Sequence, residues 1–180
     1  MREILKVGVK LLLITAVAGL VLGLTNAVTA GPIEQQSIAS AQAARQAVLP
    51  DAATFEEVEA PEGMDAIYKG LDASGTVVGY TGTITTRGYG GLIEITVGTD
   101  MDGVITGVSI GGSDFSETAG LGARVKETWF GEQFVGKTSP LALTKNGGEI
   151  DAVTSATISS TAVTTAIDTA CQALAAEAGR

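Results

Sequence analysis

Hydrophobic and polar positions follow two regimes along this chain. The run Leu11–Ala30 carries no charge and stands behind Arg2, Lys6 and Lys10. A helix of about 20 residues rises roughly 30 Å, the thickness of a bilayer's hydrocarbon core, so the pattern predicts a transmembrane helix over 11–30. The cationic flank predicts that residues 1–10 stay in the cytoplasm and that everything after Gly31 lies outside it. The same run also fits a signal peptide, with Leu11–Leu24 as its apolar region and Val28-Thr29-Ala30 as a small-x-small cut. Hydropathy alone leaves both readings open.

Residues 33–48 are rich in Ala and Gln and hold no Gly or Pro. This profile predicts a stalk helix with Pro32 in its first turn and Pro50 just past its end. Acidic residues and Pro61 mark 54–63 as a linker, so stalk and linker together cover 31–63. From residue 64 the period changes to two. Ala66–Leu71 predicts a short strand, Asp72–Gly75 a turn, and Val77–Thr86 a second strand with Val78, Tyr80 and Ile84 on one face. Leu92–Gly98 alternates Ile93, Ile95 and Val97 with Glu94 and Thr96, and Thr99–Gly103 turns it back into Val104–Ile110 as an antiparallel hairpin. Asp100 and Asp102 resemble the start of a calcium loop, but no 12-residue ligand series follows, and a plain turn is the simpler reading.

Arg124–Phe134 has helical spacing and carries Trp129, the single tryptophan. Trp129, Phe130 and Phe134 fit either a core or a stack against a flat ligand. Val163, Ile167, Ala170, Cys171 and Leu174 recur at three- and four-residue steps, which predicts a last helix starting near Ser159. Ser159 then serves as N-cap, with Ile158 stapled onto Val163. The expected fold class is α+β, one N-terminal transmembrane helix followed by a domain over 64–180 with a mainly antiparallel sheet and packed helices.

Composition narrows the function. A net charge of −9 disfavours nucleic acid as a partner. There is no histidine, which excludes His-based metal sites, Ser-His-Asp triads and His general bases. Cys171 is the only cysteine, so neither an internal disulfide nor a cysteine-held cluster is available, and its place on an apolar helix face reads as buried filler. The candidate chemistry lies in Asp151-Ala152-Val153-Thr154-Ser155-Ala156-Thr157-Ile158-Ser159-Ser160, a hydroxyl-rich turn entering the last helix. Free N–H groups and the dipole at a helix start favour a phosphate beside Thr157. A bare capping role accounts equally well for these ten residues taken alone.

That stretch resembles the attachment motif of the FMN-binding domain family, Asp-x-x-[Ser/Thr]-Gly-Ala-Thr followed by a Ser/Thr pair, with Ser155 in the usual glycine position. Gly88-Tyr89-Gly90-Gly91, Glu117-Thr118-Ala119-Gly120-Leu121-Gly122 and Gln133-Phe134 resemble the same family in order and spacing, with Ala119 replacing a proline. The likeness spans roughly residues 65–172. With the N-terminal segment it is nearest the G subunits of Rnf-type ion-translocating electron-transport complexes, then the related C subunits of sodium-pumping NADH:quinone reductases.

The resemblance implies FMN joined by a phosphoester to Thr157, with Thr154, Ser155 and Ala156 around the attachment point. It further implies a flavin ring against Glu117, Thr118, Gly120, Leu121 and Gly122, with Leu121 touching the ring and Thr118 or Glu117 bonding its polar edge. Tyr89-Gly90-Gly91 is left open as contact or scaffold. The implied partners are the other membrane subunits of such a complex, surrounding membrane lipid, and a flavin transferase drawing on FAD, since a Thr hydroxyl needs a base and neither His nor Lys is near in sequence. The implied setting is a bacterial or archaeal cell membrane, crossed once, with the anchor retained. The expected role is electron carrying within a ferredoxin:NAD+ oxidoreductase. Two alternatives remain: a free-standing extracytoplasmic FMN carrier, and an exported non-redox structural or binding module.

Overall fold

The computed structural model describes residues 2–179, the side chain of Glu3 excepted. The chain divides into two units, one ending at Ser40 and one beginning at Ala41. Most of helix α1 (Arg2–Val48) belongs to the first, where Leu12, Ile14, Leu20, Leu22 and Leu24 are exposed. It is long and apolar enough to cross a membrane, with a mean hydropathy of 2.3 in its most apolar window and none of that window buried. The hydroxyls of Thr15, Thr25 and Thr29 each bond a carbonyl one turn back, so these polar groups are satisfied within the helix. The break and restart expected at Pro32 are absent, and the helix runs through it. Proline inside a helix costs about 3 kcal/mol, and the Ala-, Leu- and Gln-rich flanks propagate the helix past it.

The second unit is built on an antiparallel sheet in chain order: β1 (Thr54–Val58), β2 (Ala66–Leu71), β3 (Val77–Arg87), β4 (Leu92–Asp100) and β5 (Ile105–Gly111). The supposed linker over 54–63 therefore contains an edge strand, paired from Thr54↔Leu71 to Val58↔Ile67. Its Glu56 and Glu57 disguise it, because edge strands carry charge to discourage further pairing; Glu56 bonds Lys69 at 2.9 Å. The β4–β5 turn is the plain one. Asp100 Oδ1 accepts the N–H groups of Asp102 and Val104, and no cluster of metal-ligating side chains occurs among the described residues.

The two faces of the sheet differ. One presents Ile67, Ile84, Ile93, Ile95 and Val97 to α3 (Thr157–Ala178), whose Val163, Ile167, Ala170, Cys171 and Leu174 are buried against it. Burial pushes the Cys171 thiol up from its ordinary range, which suits filler rather than chemistry. The other face carries a band of glycines, with Gly70 paired to Gly79 and Gly98 to Gly107. Val48, closing α1, and Leu49 after it lie on this band. A Cβ at Gly70 would come 2.5 Å from Leu49 Cδ2, and one at Gly107 would come 2.8 Å from Val48 Cα. Thr106 donates to the Val48 carbonyl at 2.5 Å, and Arg45 stacks over Tyr68 at 4.1 Å.

The segment expected as one helix over 124–134 splits into a 3-10 turn (Gly122–Lys126) and a short α2 (Thr128–Glu132), with Glu127 extended between them. The Glu127 carboxylate accepts from both Arg124 and Trp129 Nε1, bracing the bend. Phe130 and Phe134 are fully buried and meet edge to face, so they belong to the core.

Candidate functional site

Helix α3 starts at Thr157, two residues before the position expected from spacing. Ser159 is not its cap. Ala156 occupies the N-cap position, no side chain bonds the first turn, and the first N–H bonded within the helix is that of Ser160, to Ala156 O. The leading N–H groups of the helix are thus left for another acceptor. Thr157 is exposed, and its hydroxyl has no hydrogen-bond partner among the described residues. Ile158 is 58% exposed, so no staple forms onto Val163.

The Ser159-Ser160 pair faces inward instead. Ser160 Oγ accepts the Val153 N–H and donates to Ala156 O, both at 3.0 Å, which shapes the turn before the helix. Ser159 Oγ donates to Glu117 Oε2 at 2.9 Å, while Glu117 Oε1 accepts the Gly90 N–H at 2.9 Å. Glu117 is only 9% exposed. The room for its carboxylate is made by glycines, since a Cβ at Gly88 would fall on Oε1 and one at Gly122 on Oε2. Gln133 adds a further tie, accepting from Asp151 N and donating to Asp151 O. The four motif segments are thereby bonded to one another.

Between them lies a groove of about 390 Å³, lined by Tyr89, Glu117, Thr118, Leu121, Gly122 and the run Ser155–Ser159. This lies within the size range of small-molecule sites. Of the expected site residues, Glu117, Thr118, Leu121, Gly122, Ser155, Ala156 and Thr157 line it, whereas Thr154 and Gly120 do not. Both are exposed, and Gly120 serves the turn at φ 76. Tyr89 lines the groove while its neighbour Gly90 holds Glu117, so that loop is both wall and scaffold. Trp129 does not line it. Spacing misses Ile158 as a wall residue; the signal is an apolar side chain directly after Thr157, which local rules assign to a staple.

The rim is apolar, with Tyr89, Leu121 and Ile158 all exposed, and no Lys or Arg lines the groove. A flat apolar ring fits the rim, and an anion fits the uncapped helix start, where N–H groups answer its charge. Ser155 stands at φ 63, the single non-glycine residue with positive φ among those described. The resembled motif has glycine at this position, and the left-handed backbone is the reason.

Residues 88–172, which hold the groove, match the FMN-binding domain. The chain is 41% identical to the G subunit of the Na(+)-translocating ferredoxin:NAD(+) oxidoreductase complex of Acetobacterium woodii, over 95% of this chain and 91% of that protein. It is 38% identical to the G subunit of the ion-translocating oxidoreductase complex of Methanosarcina acetivorans, over 99% and 98% respectively. The crystal structure of Shewanella oneidensis NqrC shares the fold at a TM-score of 0.52 and 20% identity over 73% of each chain. This chain belongs to the family of G subunits of ion-translocating oxidoreductase complexes.

Proposed function

We propose that this chain is a single-pass membrane flavoprotein that carries FMN on Thr157 and passes electrons within an ion-translocating ferredoxin:NAD+ oxidoreductase complex of the Rnf type. Residues 1–10 lie in the cytoplasm, 11–30 span the membrane, and the FMN-binding domain faces outward. The observation that carries this reading is the free, exposed Thr157 hydroxyl at the start of α3, where no side chain caps the helix.

FMN when bound supplies a one- or two-electron carrier. The leading N–H groups of α3 hold the phosphate, and Leu121, Tyr89 and Ile158 offer apolar surface to the ring. Thr118 and Ser155 place hydroxyls in the same groove. A covalent bond suits a carrier working away from the cytoplasmic flavin pool, because the cofactor cannot be lost by dissociation.

The groove has no base with which to activate Thr157. Its only carboxylate, on Glu117, is already bonded to Gly90 and Ser159, and no His or Lys lines it. Attachment therefore falls to a separate transferase drawing on FAD. The Thr157 oxygen displaces AMP from the diphosphate, and its proton passes to a base on the transferase. The remaining subunits of the complex and the surrounding lipid are the partners of the assembled protein. In-gel fluorescence tests the reading. Protein made with the transferase present, denatured and separated by electrophoresis, should keep yellow-green fluorescence; a dark band overturns covalent attachment and favours a non-redox module.

A further inference from the structure

Glu117 is a buried acid that forms no salt bridge among the described residues. Both of its oxygens are held, Oε1 by the Gly90 N–H and Oε2 by the Ser159 hydroxyl. It lines the same groove as Thr157, and that groove offers no Lys, Arg or His. A negative charge in a partly dry site acts over several ångströms far more strongly than in water. We propose that the Glu117 carboxylate lowers the reduction potential of the group bound in this groove, whose lining holds no Lys, Arg or His beside it.

The reasoning rests on the FMN reading above. An electron arriving from a partner redox centre adds negative charge to the ring, and no Lys, Arg or His in the groove stands ready to deliver a proton with it. Repulsion from Glu117 then opposes reduction. The glycines at 88 and 122 admit the carboxylate, and the bonds to Gly90 and Ser159 hold it in place, so the charge is fixed rather than averaged by motion.

Glu117→Gln keeps the shape and can still accept from Gly90, while removing the charge. Redox titration of the full-length, flavinylated protein should show the Glu117→Gln potential raised, by about 59 mV for a tenfold change in a one-electron equilibrium. Peptide masses recorded on the same samples separate the two readings. FMN missing from the unmodified chain overturns the proposed function, whereas FMN present with an unchanged or lowered potential in Glu117→Gln overturns this inference alone. Should Glu117→Gln not accumulate folded, Glu117→Asp carries the test. It keeps the charge while shortening the tie, so its thermal stability should fall while the potential stays near that of the unmodified protein; a tenfold rise in the reduced fraction at fixed potential would overturn the proposal.

Discussion

Two places in the domain use missing side chains to make room, and they make room for opposite things. On the outer face of the sheet, Gly70, Gly79, Gly98 and Gly107 clear a floor for Val48 and Leu49 at the end of α1. Around the groove, Gly88 and Gly122 clear a pocket for one carboxylate. The first is backbone and apolar side chain in close contact, a packing problem with little slack. The second surrounds the far end of a side chain, which an added Cβ would push off its two bonds rather than meet as backbone. A glycine count treats these alike; the neighbouring atoms separate a glycine needed for stability from one needed for the site.

Gly79→Ala should break the first region most severely. The added Cβ runs into the carbonyl of Thr99 on the neighbouring strand, and backbone cannot yield locally. We expect a loss of about 3 kcal/mol, at the upper end for overpacking, read as a lower thermal midpoint of the full chain in detergent. No shortening of a nearby side chain should rescue it.

Gly122→Ala should cost less stability, about 2 kcal/mol, but should displace the Glu117 carboxylate and the bond to Ser159 and so reduce flavin loading. Here rescue is expected. In the Glu117→Ala background the same substitution should cost clearly less, a positive coupling visible in a double-mutant cycle. Strict additivity would show that the carboxylate is not what fills the space beside Gly122.

Ser155→Gly has the reverse sign. The left-handed backbone costs a non-glycine residue about 1 kcal/mol, so this change should raise the thermal midpoint slightly while leaving FMN attachment intact. A drop in stability would mean that the serine hydroxyl contributes more than its backbone costs.

The smallest effect lies outside both regions. The Arg124 guanidinium and the Trp129 indole N–H hold the Glu127 carboxyl below its ordinary value of 4.5. A depressed carboxyl contributes stability that is present above the ordinary value and lost as pH falls through the folded one. Emission from Trp129, the only tryptophan, should therefore change below pH 4.5 and not at it, and Glu127→Gln should abolish that change.

Much of this architecture was legible in the sequence because its signals are local. The alternation of Ile93, Ile95 and Val97 gave strand and buried face together, and Val163, Ile167, Ala170 and Leu174 marked the core face of α3. The structure departs from these local signals where tertiary bonds override them. Ser159 looks like a cap until Glu117, 42 residues earlier, takes its hydroxyl. Thr54–Val58 looks like a linker until β2 pairs with it. The residues expected around Thr157 rest on motif resemblance rather than periodicity. The bonds through Glu117 and Gln133 are invisible in sequence because each joins segments whose spacing carries no period.

One hydroxyl at the start of α3, that of Thr157, is proposed to bear the cofactor. Mass spectrometry of the peptide containing Thr157, from full-length protein produced with the transferase, tests it directly. The peptide should carry an FMN-sized addition that is missing in Thr157→Ala; an unmodified peptide, or an addition that persists in the variant at Thr154 or Ser155, would place the cofactor elsewhere or nowhere.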